Sequence, residues 1–150
     1  MDLKLEVIIV PVSDVDRAKQ FYATAMQCRE DADAGSNGWR VVQMTPPGSQ
    51  CSIIFGRGVT TTPPGSLDRL LLAVDDIDKA RAELIGRGVD VGEIFHDASG
   101  TAASGWVPPG QRAPGPDPQG QSYASCAIFH DPDGNAWMLQ EITERAPGRV

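Results

Sequence analysis

Only two side chains in this chain, His96 and His130, have an ordinary pKa near neutrality, so general acid–base chemistry would fall to them first. Either would have to lie within hydrogen-bond reach of a substrate proton. The plainer reading is surface residues at a turn and a strand end, since His130 precedes the run D-P-D-G and His96 opens a long Gly/Pro-rich stretch. Tyr123 and Glu141 offer an acid and a base on neighbouring strand-like runs. Glu141, however, alternates with Met138 and Gln140, which puts it on the opposite face of its strand. Trp39, Trp106 and Trp137 carry rings that can stack on a planar ligand. Trp137 reads as core and Trp106, in the long loop, as the ring open to a ligand; Tyr22 reads as helix packing. Cys28, Cys51 and Cys126 are widely spaced with no C-x-x-C, the usage of reduced thiols in a cytosolic protein. No phosphate-binding glycine loop, nucleophile elbow or zinc motif is present.

The elements that must position these groups are written twice. The run V-P-V-S-D-V-D-R-A at 10–18 returns as L-A-V-D-D-I-D-K-A at 72–80, sixty-two positions later. T-P-P-G-S at 45–49 is echoed by D-P-D-G-N at 131–135, eighty-six positions later. Repeats of this kind decide an architecture before propensities do. Each first echo follows a β-branched or apolar run, at 5–10 and 69–74, that reads as a strand. Ser13 and Asp75 are the expected helix N-caps, and Val15, Ala18, Phe21/Tyr22 and Ala25 recur at helical spacing, as do Ile77, Ala80, Leu84 and Ile85, the expected buried stripe. Gly86 and Gly88 stop the second helix. Three strand candidates follow each helix, at 27–32, 39–44 and 51–55, then at 90–95, 122–130 and 136–142. The fold class is therefore α+β, two tandem βαβββ modules: module one about 5–56, a linker at 57–68, and module two about 69–142. The two offsets differ by twenty-four residues, an insertion that falls in the loop 97–121. Five prolines and little apolar periodicity predict a segment without helix or strand, either a lid carrying Trp106 or slack.

At 150 residues the chain suits one domain holding both modules, each too small to be stable alone. Twenty acidic against thirteen basic side chains, with no basic block, argue against a nucleic-acid or anionic-membrane partner. No apolar run approaches the ~18 residues of a membrane span, and the start lacks the apolar centre of a signal peptide, so a cytoplasmic location is expected.

The duplicated pattern, with V-S-D-V-D-R-A-K-Q-F-Y after the first strand and D-P-D-G-N before the last, resembles the vicinal oxygen chelate superfamily. That group includes glyoxalase I, bleomycin-resistance proteins, fosfomycin-resistance enzymes and extradiol dioxygenases. The resemblance runs from about residue 5 to 142 and implies paired half-barrels around a cleft that binds a small molecule. The superfamily's enzymes usually hold a divalent metal there, on His, Glu or Gln from the first and last strand of each module. Carried onto this chain, those positions are Val7, Ser52, Arg69 and Met138; a shift of two along the last strands offers Ile54 and Gln140. Valine has no donor, methionine is soft and arginine is a permanent cation, so no metal and no other cofactor is expected.

The resemblance turns Arg69 into a candidate fork for a carboxylate, phosphate or enolate oxygen, in the metal's place. The expected function is a glyoxalase/bleomycin-resistance-like protein binding a small organic molecule in a metal-free cleft. Its ligand-binding residues would be Val7, Ser52, Arg69, Trp106, Met138 and Gln140. The alternative is a metal-independent isomerase, cyclase or lyase on a carbonyl compound, with Arg69 stabilising an oxyanion and His130 or Tyr123 moving the proton. A metal-dependent lyase or dioxygenase is disfavoured by the ligand positions. A homodimer is expected, because apolar first strands leave sheet edges that need cover.

Overall fold

The computed structural model describes residues 1–101 and 104–149. They form two compact units, the first made of 1–68 together with His130–Asn135, the second of the rest from Arg69 onward.

In the first unit the order is β1 (Val7–Ile9), α1 (Val15–Thr24), β2 (Arg29–Ser36), β3 (Trp39–Thr45) and β4 (Ser52–Arg57). Its sheet runs β1-β4-β3-β2, with β1 parallel to β4 and the other pairs antiparallel. Alternation puts Val10, Val42, Met44, Ile53 and Phe55 on one face, where they are buried with Ala18 and Tyr22 of α1. The Tyr22 and Phe55 rings lie 5.5 Å apart. β2 is exposed at all eight positions and carries a bulge at Asp31.

In the second unit the order is β5 (Leu70–Val74), α2 (Ile77–Gly86), β6 (Phe95–Asp97), β7 (Arg112–Pro114), β8 (Cys126–His130) and β9 (Ala136–Glu141). The sheet runs β5-β9-β8-β6-β7, with β5 parallel to β9. Trp137 and Leu139 are buried on the side of α2, and Glu141 on that side accepts the amide of Ile77 at 3.0 Å. The α+β class and the two βαβββ modules are thus as the repeat predicts.

Four local expectations are corrected. The helix N-caps are Asp14 and Asp76, not Ser13 and Asp75; each carboxylate accepts the amide three residues on, from Arg17 and Lys79. Ser13 is engaged elsewhere, donating through both its amide and its hydroxyl to Asp133. The strand expected at 90–95 is only an isolated bridge at Val91, with β6 starting at Phe95. There the carbonyls of Val91 and Gly92 are taken by Arg81, at 3.2 and 2.8 Å, in place of a ladder. The strand expected at 122–130 begins at Cys126, because Tyr123 sits in the left-handed region with φ 74°. The loop 97–121 is not free of secondary structure. Ser104–Trp106 and Pro109–Gln111 are 3-10 turns, and β7 pairs antiparallel with β6. The carboxylate of Asp97 anchors the loop's first turn, accepting the amide and hydroxyl of Ser99 and the hydroxyl of Thr101.

One buried network organises the first unit. Both oxygens of Asp131 are filled: Oδ1 accepts the amides of Asp133 and Asn135, and Oδ2 accepts the Tyr22 hydroxyl at 2.7 Å and Asn135 Nδ2 at 2.8 Å. Asn135, fully buried, also donates to the Pro11 carbonyl at 2.7 Å and accepts the Leu67 amide. Gly65 closes on the same turn; a Cβ there would stand 2.1 Å from the Asp133 carbonyl, and its φ of 77° is itself a glycine conformation.

Replacing Asp131 with Asn preserves shape but turns an N–H2 toward groups that already donate. Losing charged acceptance should cost about 2–3 kcal/mol. A urea titration should show the midpoint falling with an unchanged slope, and a midpoint equal to wild type would refute this account of the network.

Candidate functional site

Each sheet has a second face, away from its helix. On the first sheet the strand register groups Val7 opposite Ser52, Ile9 opposite Ile54, and Gln43 opposite Ile54, with Val41 one step further along β3. Ala32 and Ala34 continue this face onto β2. Ile9 is 43% exposed, and Val7, Val41, Gln43 and Ile54 are half-buried, so the face is apolar and open, with one amide at its middle. A polar corner closes one end. There Arg29 pairs with Asp31, Asp31 accepts the Thr45 hydroxyl, and Thr45 and Ser52 share a 2.7 Å hydrogen bond. The Thr45 and Arg29 contacts hold the Asp31 carboxyl below its ordinary range.

On the second sheet the corresponding face carries Leu71 opposite Met138 and Ala73 opposite Gln140. Phe95, Cys126 and Met138 form its buried floor, with Ile128 packed against them. Here the face is occupied by the chain's own loop. Gly105 lies so close that a Cβ on it would meet Met138 Cε at 2.4 Å and Cys126 Sγ at 3.6 Å. Arg69 holds it there, donating from Nη1 to the Gly105 carbonyl at 2.9 Å while its guanidinium sits 5.3 Å from the Trp106 ring centre. Trp106 nevertheless remains 59% exposed. A second arginine, Arg112, covers the Phe95 ring at 4.4 Å.

Among the residues singled out by sequence, Arg69, Trp106 and Met138 are therefore gathered around Gly105. Arg69 stands just before β5 with φ 61°, and Met138 pairs with Leu71. Gln140, buried, donates to the Tyr123 carbonyl at 2.9 Å. The Tyr123 hydroxyl accepts the Ala146 amide at 3.0 Å. His96 Nδ1 is hydrogen-bonded with the Gly115 carbonyl at 2.7 Å, and His130 is exposed at the end of β8. Trp137 is core, and Trp39 is exposed at the start of β3. Gly105 and Gln43 were not singled out by sequence. Gln43 had a signal in the alternation of β3; a glycine chosen for close approach in a loop has none.

The donor sets do not suit a hard divalent ion. Val7 offers no donor, the Ser52 hydroxyl is tied to Thr45, and Arg69 is a cation. Among the described residues no group of three His, Cys, Asp or Glu side chains comes together. Thiol nucleophiles are also poorly placed: burial pushes Cys28 and Cys126 each up to about 12. A recess of about 590 Å³ at the start of α1 is lined by Asp14, Asp16, Arg40, Arg57 and threonines. It lies away from the open sheet face, and Arg40 is already paired with Asp16 and Asp33.

Residues 4–139 match the family model described as the Glyoxalase/Bleomycin resistance protein/Dioxygenase superfamily. The chain is similar to TnmS3, an antibiotic binding protein from Streptomyces sp. CB03234, with 31% identity, TM-score 0.69, and coverage of 94% of this chain and 97% of that one. It is similar to a glyoxalase/bleomycin resistance protein from the same organism, with 32% identity, TM-score 0.65, and coverage of 91% and 99%. A superfamily member from Sphaerobacter thermophilus DSM 20745 shows 26% identity, TM-score 0.64, and coverage of 93% and 98%. No curated protein is significantly similar in sequence.

Asp97 gives the loop a defined acid sensitivity. The Thr101 and Ser99 hydrogen bonds hold its carboxyl below the usual range. A depressed folded pKa contributes stability that is full above the unfolded value of about 3.9 and is lost as pH falls through the folded one. Exchange of the Ser99 amide should therefore be protected from pH 7 to about 4 and lose protection below that. In Asp97→Asn it should be faster already at pH 7; equal protection in the variant would contradict the anchor.

Proposed function

Because the chain belongs to the glyoxalase/bleomycin resistance protein/dioxygenase superfamily, we propose that it binds a small, largely apolar organic molecule of the antibiotic kind without a metal. The observation that carries this reading is the open face of the first sheet. Val7, Ile9, Val41 and Ile54 offer an apolar surface, and Gln43 supplies an amide that donates and accepts. Mostly apolar linings with a few placed polar groups are what small-molecule sites are built from. Likeness to an antibiotic binding protein over nearly the whole of both chains supports the same ligand class. The donor chemistry at Val7, Ser52, Arg69 and Met138 supports binding without a metal.

The rival reading, a metal-independent isomerase, cyclase or lyase, has less support. It needs Arg69 and a proton-moving group to converge on a substrate. Arg69 is turned to Gly105, and the Tyr123 hydroxyl already accepts a backbone amide. The reading extends to a homodimer in the cytoplasm, in which the apolar strand β1 at the sheet's edge is covered by a second copy. Light scattering that returns a single 16.0 kDa chain at micromolar concentration would reject the dimer.

Calorimetric titration with bleomycin and a panel of flat aromatic antibiotics tests the binder reading. At least one should bind with 1:1 stoichiometry and displace no metal. Ile9→Ser removes an exposed apolar contact, so affinity should fall by about 1.5 kcal/mol, or about tenfold, with the urea midpoint little changed. Failure of every compound to bind, together with Arg69-dependent turnover of a carbonyl substrate, would overturn this reading in favour of the enzyme.

A further inference from the structure

We propose that the recess at the start of α1 is a second binding site, and that its ligand is a small zwitterion of dipeptide size, with one carboxylate and one ammonium group. The proposal goes beyond the binder reading. The recess is lined by the first unit alone and shares no residue with the open sheet face. Its volume of about 590 Å³ falls within the roughly 300–1,000 Å³ of small-molecule sites.

One cation in the lining lacks the partner that its neighbour has. The register of β3 and β4 sets Arg40 directly opposite Arg57, and alternation puts both on the α1 side, in line with Val42 and Phe55. Like charges directly opposite each other on a sheet are destabilising. Arg40 is compensated in full: Nε and Nη2 donate to Asp33 at 2.9 and 2.8 Å, and Nη1 to Asp16 at 2.7 Å. Among the described residues no acceptor meets the guanidinium of Arg57, which is exposed at the rim. A ligand carboxylate there would fill a bidentate fork and offset the cross-strand repulsion. Hydroxyls stand ready beside it. Thr62 accepts from the Thr60 hydroxyl at 3.1 Å, so its own proton is left to donate, and the Thr61 hydroxyl has no described partner.

The rest of the lining selects against a plain anion. Asp14 gives one oxygen to the Arg17 amide at 3.0 Å and Asp16 gives one to Arg40, so each keeps a second oxygen that no described residue fills. The charges of Asp14, Asp16, Arg40 and Arg57 cancel as a set but stay apart. A bare anion gains Arg57 and meets two carboxylates; a bare cation meets the reverse. A molecule carrying both charges satisfies both sides, its ammonium supplying three donors to the acids. Val12, Val15 and Pro64 add apolar surface that an aliphatic side chain can cover.

The test titrates the full chain with glycyl-leucine and follows backbone amide shifts by NMR. Saturable one-to-one shifts are expected at Asp16, Gly58 and Thr61. N-acetylglycyl-leucine, which lacks the ammonium, and glycyl-leucinamide, which lacks the carboxylate, should each bind at least about fivefold more weakly. Arg57→Gln, at an exposed position, should weaken glycyl-leucine about tenfold, leave glycyl-leucinamide unchanged and keep the urea midpoint. The two derivatives apply the same test to the unaltered chain, so it does not depend on the variant folding. Absence of saturable shifts at these amides overturns the inference. So does an acetylated peptide that binds as well as the free one, or an Arg57→Gln variant that binds glycyl-leucine as wild type does. Inorganic phosphate binding as tightly as glycyl-leucine would mark a simple anion seat and overturn it too.

Discussion

A single buried carboxylate organises the first unit. Asp131 has room for about four acceptor bonds, and all four are made: two to backbone amides of its own turn, one to the Tyr22 hydroxyl and one to the Asn135 side chain. Buried charge is tolerable only when satisfied in this way. The arrangement ties the residues that follow β1, through Pro11, to the linker, through Leu67 and Gly65, and to α1, through Tyr22. The helix in turn presses Tyr22 on Phe55 and covers one sheet face. The other face is thereby left to be used. The openness of Val7, Ile9 and Ile54 is a consequence of where the single helix of the unit is pinned.

The two sheets began from one pattern and differ in what lies on their second face. The insertion of twenty-four residues is the cause. It supplies β7, which extends the second sheet, and the turn at Ser104–Trp106, which Arg69 draws down onto Met138 and Cys126. Duplication with a single insertion thus yields one bare face and one furnished face from nearly the same β-α-β-β-β plan.

Much of this was legible in the chain and some was not, for identifiable reasons. The repeat named both helices, because a strand followed by an acidic cap and an apolar stripe is a local pattern that needs no tertiary help. It misplaced both caps by one residue, since the choice between Ser13 and Asp14 depends on Asp133, which lies far along the chain. Val91 and Gly92 have the composition of a strand, but Arg81 satisfies their carbonyls first. D-P-D-G-N reads as an ordinary turn; that Asp131 and Asn135 are buried follows only from Tyr22 and Pro11 meeting them. Arg69 was visible as a cation at an apolar strand's start, whereas its partner is a backbone carbonyl, which every residue has and no sequence distinguishes.

β2 closes the first sheet with eight exposed residues and an outer edge that no strand of the sheet pairs. Such an edge is a template for another chain's backbone, and a long flat one invites fibrous stacking. This one is neither flat nor neutral. The bulge at Asp31 breaks the even spacing a second strand would need, and Glu30, Asp31 and Asp33 hold Lys19, Arg29 and Arg40 as counter-charges along it. The same three acids that look like surface decoration act as colloidal insurance. In strong acid, where they are neutralised, Lys19, Arg29 and Arg40 keep their charge, so the edge passes from paired charges to a row of like cations and repulsion joins the bulge in keeping a second edge away.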